Sequence, residues 1–166
     1  MRRFLDSLYG AAGLLAGLCM IGVLASVLIS IIGRQIDWHV AGVDAYAGYF
    51  MAAAGFLALA STFKHGEHIR VTLLLNSLAE RSSRRLDIFA LCMGTLLAAA
   101  FAFFSIKLTL DSHMYNDVST SNDATPLWIP QLSMAIGTVL FLVSLVDELF
   151  RRLRGLPAPT SQQTHE

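Results

Sequence analysis

Charge is what this sequence has little of, and its distribution matters more than its amount. Only 14% of the 166 residues are Asp, Glu, Lys or Arg, while 55% are hydrophobic; soluble domains carry roughly 25% charge. Four runs, Ser7–Gly33, Ala45–Phe63, Ile88–Ile106 and Ala124–Val146, hold no Asp, Glu, Lys, Arg or His at all. About 20 apolar residues at 1.5 Å each cross the roughly 30 Å hydrocarbon core of a bilayer. An ordinary soluble domain is therefore excluded. The expected fold is an all-α membrane protein with four transmembrane helices.

The same scarcity bears on chemistry. Ion pathways, proton relays and substrate counter-charges in membranes are built from intramembrane ionisable groups, and the four runs offer none. A sodium site made of carbonyls and hydroxyls needs broken helices, yet the only prolines near a run, Pro126 and Pro130, stand at the entrance of the fourth. A stand-alone pump or exchanger is thus disfavoured, and a multidrug exporter lacks its embedded acid. A haem-binding bundle needs axial histidines in its core, but His39, His65, His68, His113 and His165 all lie outside the runs. The two cysteines, Cys19 and Cys92, fall inside separate runs as small apolar residues and offer no reactive pair. His65, Glu67 and His68 find mainly Asp87 as a further ligand nearby, too few for a metal centre. No enzyme, no cofactor and no metal site is expected, and nucleic acid is not an expected partner.

The charges that are present are sorted by side. The N-terminus, the connection between the second and third runs, and the C-terminus carry ten of the twelve Lys and Arg residues; the other two connections carry Arg34 and Lys107. Cytoplasmic loops hold the Lys/Arg excess, so an N-in/C-in topology is expected. The opposite face is acidic, with Asp37, Asp44, Asp111, Asp117 and Asp123. Arg2 and Arg3 before the first run resemble a signal n-region, but the run exceeds an h-region of about 7–15 residues; an uncleaved anchor is expected.

A single four-helix membrane domain over residues 1–155 follows, with spans at about 8–32, 45–63, 86–106 and 130–150, and a disordered cytoplasmic tail over 156–166. Gly13-x-x-x-Gly17 and Gly22-x-x-x-Ser26 mark candidate close approaches on the first helix. Trp38, Tyr46, Tyr49 and Trp128 suit the interfacial aromatic belt. Gly66 is placed to end the second helix. Val71, Leu74, Leu75 and Leu78 then repeat at helical spacing, predicting a short amphipathic helix over about 71–80 in the cytoplasmic interface. Arg81, Arg84 and Arg85 follow, suited to lipid headgroups. Pro130 is placed as the first residue of the fourth helix. Asp111, Asp117 and Asp123 form a candidate docking face for a soluble partner.

Gly66-Glu67-His68-Ile69-Arg70-Val71, just after the second of four spans, resembles the signature of the small membrane subunit of tripartite ATP-independent periplasmic (TRAP) transporters. Arg34, Trp38 and Asp44 stand where that family carries an Arg ending the first helix, a Trp and an acidic residue, though Asp44 replaces the usual Glu and the spacing is stretched. Pro126-Leu127-Trp128-Ile129-Pro130-Gln131, with Gly137 following, resembles the start of the family's fourth helix. The resemblance covers about residues 4–153. It implies a non-catalytic small permease subunit in the bacterial inner membrane, partnered by a large permease subunit and a periplasmic substrate-binding protein. It further implies that substrate and sodium sites lie in the large subunit, that the cargo is a carboxylate or related organic anion, and that the small subunit scaffolds the large one and aids docking. The competing reading from the residues is a self-contained four-helix channel or transporter acting as a homo-oligomer.

Overall fold

A computed structural model describes residues 2–38, 42–64, 80–121 and 123–154, with backbone alone for 2–6, 64 and 80–84. It contains four α-helices: α1 (Arg2–Gln35), α2 (Val43–Lys64), α3 (Glu80–Met114) and α4 (Trp128–Leu153). All four are long and apolar enough to cross a membrane. The four charge-free runs thus become four helices for an elementary reason: in hydrocarbon every backbone N–H and C=O must be satisfied within the segment. The interfacial helix expected over 71–80, the Gly66–Ile69 motif and the tail after Gly155 lie outside the described residues.

The helices stand in a row rather than in a closed square. Substantial interfaces join α1 to α2, α2 to α4, and α4 to α3. Pairs α1–α2 and α3–α4 are antiparallel hairpins, whereas the central helices α2 and α4 run parallel. Matching contacts establish that register: Tyr46 meets Thr125, Phe56 meets Gly137, and Phe63 meets Phe141. Five of the 29 residues of the α1 span are buried within the subunit, against six of the 26 of the α4 span. The central position of α4 accounts for the difference.

Small residues let these backbones approach. On α1 the buried positions Tyr9, Ala12, Ala16, Ser26 and Gly33 follow one helical stripe. Gly13 abuts the Ser61 side chain and Gly22 the Phe50 ring, while Gly17 faces open space. Three of the four small residues singled out in the sequence therefore face α2. On α3 the stripe is Ala98, Ala102, Ser105, Thr109 and Ser112, all buried. The closest approach of all is Gly137 on α4, where an added Cβ would collide with the Phe56 backbone. Lipid tails are as apolar as leucine, so close packing of this kind replaces the hydrophobic effect as the main attraction between helices.

The helices outrun the expected spans, α1 beginning at Arg2 and α3 at Glu80, and two other ends have a clear physical cause. The third helix runs on for two turns past Ile106 to Met114, because Thr109 and Ser112 continue the buried stripe against α4. The fourth begins at Trp128 with Leu127 as its N-cap, so Pro130 is its third residue rather than its first. The displacement is tolerated since the first-turn N–H groups of a helix have no intrahelical acceptor. The N–H of Gln131, donating 3.2 Å to Leu127 O, closes the first turn.

Candidate functional site

Polar side chains gather at the two ends of the helix row. At the hairpin end, where α1 joins α2 and α3 joins α4, two clusters form. In the first, Ser30 donates to Asp44 Oδ1 at 2.7 Å, and Arg34 reaches Asp44 Oδ2 at 3.4 Å. The antiparallel α1–α2 register puts the end of α1 beside the start of α2, which brings Arg34 and Asp44 together despite the stretched spacing. Both side chains are more than two-thirds exposed, at 70% and 73%, so the pair is worth at most about 1 kcal/mol. Trp38, the third residue of that motif, ends the α1 turn: its N–H donates 2.9 Å to Gly33 O, while the indole stays exposed. Asp37 supplies the left-handed backbone needed there, with φ 52°.

The second cluster joins α2 to the α3–α4 connection. Tyr49 Oη lies 2.8 Å from Ser119 Oγ and 3.1 Å from Asp123 Oδ2. With one proton to give, the phenol donates to the carboxylate, the stronger acceptor. Thr125 Oγ1 and Tyr46 Oη share a hydrogen bond of 3.2 Å. The Tyr46 and Tyr49 rings meet edge to face, with centroids 5.9 Å apart. Hydrogen bonding from Thr125, and then from Ser119 and Tyr49, holds the Asp123 carboxyl below its ordinary value of 3.8 against an opposing desolvation. The connection itself is pinched by an antiparallel bridge between Val118 and Pro126, with the Ser119 and Leu127 N–H groups donating to Thr125 O and Asp117 O. Gly42, at φ +86°, passes close against Asp123; an added Cβ would sit 2.7 Å from that residue's Cβ.

The three carboxylates proposed as a docking face are thus not equivalent. Asp117 is exposed and Asp111 is half-buried. Asp123 is turned into the Tyr49–Ser119 cluster. It ties the α3–α4 connection to α2 as well as contributing charge.

At the opposite end, α4 carries an ionic network. Glu148, only 7% exposed, accepts from Arg152 Nε at 3.0 Å and pairs with Arg151 at 3.5 Å. Arg152 also bridges to Asp87 on α3 at 2.9 Å. Glu148 and Arg152 are i,i+4 neighbours on one helix, whereas the bridge to Asp87 joins α4 to α3. Of the arginines assigned to lipid, Arg85 is exposed; the side chains of Arg81 and Arg84 lie outside the described part, as do Gly66, Glu67, His68 and Ile69. Among the described residues, no three His, Cys, Asp or Glu side chains gather as metal ligands.

Four residues expected in connections, Arg34, Asp44, Lys107 and Asp111, lie within helices. Lys107 was placed in a connection, because the charge-free run ends at Ile106. It lies instead within α3, on the face turned from α4. The signal was present in the stripe Ala98, Ala102, Ser105, Thr109, Ser112, whose spacing of three and four residues runs straight past Lys107.

Four membrane-crossing helices, with polar clusters confined to the ends of the row, define a multi-pass membrane protein. Residues 23–155 match the DctQ component of the tripartite ATP-independent periplasmic transporters. The chain belongs to that family, the small TRAP transporter subunit. No curated protein sequence matches it significantly.

Proposed function

We propose that this chain is the non-catalytic small permease subunit of a sodium-coupled TRAP importer of organic anions, carboxylates or related compounds, in a bacterial inner membrane. The family match over residues 23–155 is the observation that carries the reading. Both termini are cytoplasmic, in keeping with ten of the twelve Lys and Arg residues on that side. The amphipathic segment 71–80 lies in the cytoplasmic interface, and Arg81, Arg84 and Arg85 hold lipid headgroups there. The subunit scaffolds a large permease subunit that houses the substrate and sodium sites, and binds no cofactor of its own. Asp111 and Asp117, with Asp123 adding to the field, face the periplasm and aid docking of a substrate-binding protein.

Physical sense supports this division of labour. The groups that bind and move an anion must change partners during transport, whereas the polar groups here hold one helix or connection to another. Arg34–Asp44, Tyr49–Asp123 and Arg152–Asp87 are all fasteners of that kind.

Co-purification with a large permease subunit tests the proposal, with a stable stoichiometric complex expected. Uptake by this chain alone in liposomes would overturn it in favour of a self-contained homo-oligomeric transporter. Reporter fusions at residue 115 and at the C-terminus check the orientation, with an external C-terminus refuting it.

A further inference from the structure

The aromatic side chains of the hairpin end share one level. Tyr46 and Tyr49 meet Thr125 and Ser119, and the His113 and Trp128 rings are 5.2 Å apart. Aromatic belts of this kind sit at the membrane–water interface. From Trp128 along α4 to Asp147, beside the ionic network, is about 28 Å at the helical rise, close to the thickness of the hydrocarbon core. These two levels bracket the hydrocarbon slab.

Lys107 lies inside that slab. It is six residues below His113 on the same helix, hence about 9 Å beneath the belt, farther than its four-carbon stem reaches. The register against α4 agrees, since Thr109 touches Gln131 O at 3.3 Å and Lys107 is deeper still. At 100° per residue Lys107 points away from the buried stripe of Ser105 and Thr109. Its neighbours on that outward face are Phe89, Leu96, Phe103 and Leu110, with Phe103 at 64% and Leu110 at 62% exposure, while Asp111 stands one turn nearer the belt at i+4. Lys107 has no hydrogen-bond or ion-pair partner among the described residues. An ammonium presented to hydrocarbon at this depth is expensive, and such groups normally face protein with a counter-charge.

We propose that this face of α3 is the contact with the large permease subunit, and that a membrane-embedded acidic side chain of that subunit pairs with Lys107. The inference rests on the subunit role proposed above and adds which surface performs it. Phe89, Leu96, Phe103 and Leu110 supply the apolar contact around the charge. The single cation supplies register and selectivity, because a partner without an anion at that depth leaves the lysine unpaired.

The test uses the complete transporter, co-expressed and purified through the large subunit. A photo-reactive benzoylphenylalanine at position 103 or 110 should crosslink to the large subunit, whereas one at position 14, on the exposed face of α1, should not. Lys107→Met should cut recovery of the complex by about ten-fold or more, and Lys107→Arg should restore most of it. The melting temperature of the isolated subunit should not fall in Lys107→Met, a result that a purely internal structural role would not give. If the complex forms but positions 103 and 110 give no protein adduct and Lys107→Met assembles normally, the lysine serves lipid phosphates and this proposal fails alone. If the wild-type chain does not co-purify at all, the subunit role itself fails with it.

Discussion

Gly137 offers the sharpest test of how the row is held together. It faces the backbone of Phe56 across the parallel α2–α4 pair; a Cβ there would lie 2.5 Å from the Phe56 carbonyl carbon and 2.8 Å from its Cβ. Carbon atoms pack best at about 3.5–4.0 Å, so Gly137→Ala must push the helices apart by about 1 Å. The obstacle is backbone, which cannot swing aside as a rotamer does. Overpacking of this kind costs about 1–3 kcal/mol, set against about 1 kcal/mol gained in helix propensity over glycine. A net loss of up to about 2 kcal/mol is expected, and more for Gly137→Val. Gly55 on α2 is the matched control, because nothing lies within 4 Å of a Cβ placed there. Gly55→Ala should be neutral or stabilise by up to about 1 kcal/mol. Equilibrium unfolding of both variants in mild detergent, with a spin-label distance between α2 and α4, measures the two effects together. Equal stability of the two variants, or an unchanged distance in Gly137→Ala, would refute the close approach.

Three further expectations concern the polar ends. Arg152→Gln removes the bridge to Asp87 and strips a partner from the buried Glu148; a loss of about 1–3 kcal/mol is expected, below the usual figure for a fully buried pair because these side chains are partly wet. A double-mutant cycle with Asp87→Asn should then show positive coupling, and strict additivity would remove Arg152 from the α3–α4 contact. Asp123 is held below its ordinary range, so its stabilisation is complete above that range and is lost only as pH falls through the lowered value. Protection of the 117–127 amides, exchange being corrected for its intrinsic pH dependence, should stay flat from pH 7 to about 5 and fall below about pH 4, while Tyr49→Phe should shift that fall to higher pH. Neutralising Asp111, Asp117 and Asp123 together should slow uptake more at low salt than at high salt, as expected of screened charge at a docking face; equal rates at low salt would leave these groups as solvated loop charge.

The spans were legible because the constraint behind them is severe. A segment such as Ala45–Phe63, without one charge, has almost no alternative to a helix in hydrocarbon. The motif residues Arg34 and Asp44 were legible as a pair only through the family resemblance; the antiparallel register then supplied the contact. Helix ends were less readable. Lys107 looked like the start of a connection, yet the packing of Thr109 and Ser112 on α4 outweighed the charge and carried the helix on to Met114. The Tyr49–Asp123 and Arg152–Asp87 contacts join residues 74 and 65 positions apart in the chain. No local pattern encodes such pairs. They emerge only once the order of helices in the row is known, and a chain of four hairpin-connected spans does not announce whether it closes into a square or opens into a row.

That open order has a mechanical consequence. In a closed bundle each helix has two neighbours, and loss of one contact is buffered by the other. Here α1 is held chiefly by α2, and α3 chiefly by α4. The two hairpins meet mainly through the α2–α4 seam and are clamped at one end by Tyr49 with Asp123 and Ser119. A hinge between hairpins would open along that seam first. The tight backbone contact at Gly137, with the edge-to-face rings of Phe63 and Phe141 at 5.8 Å about one turn below it, opposes such opening near the middle of the seam. A static scaffold for a moving partner requires that resistance, and a transporter that alternates access by rocking its own halves would be hindered by it.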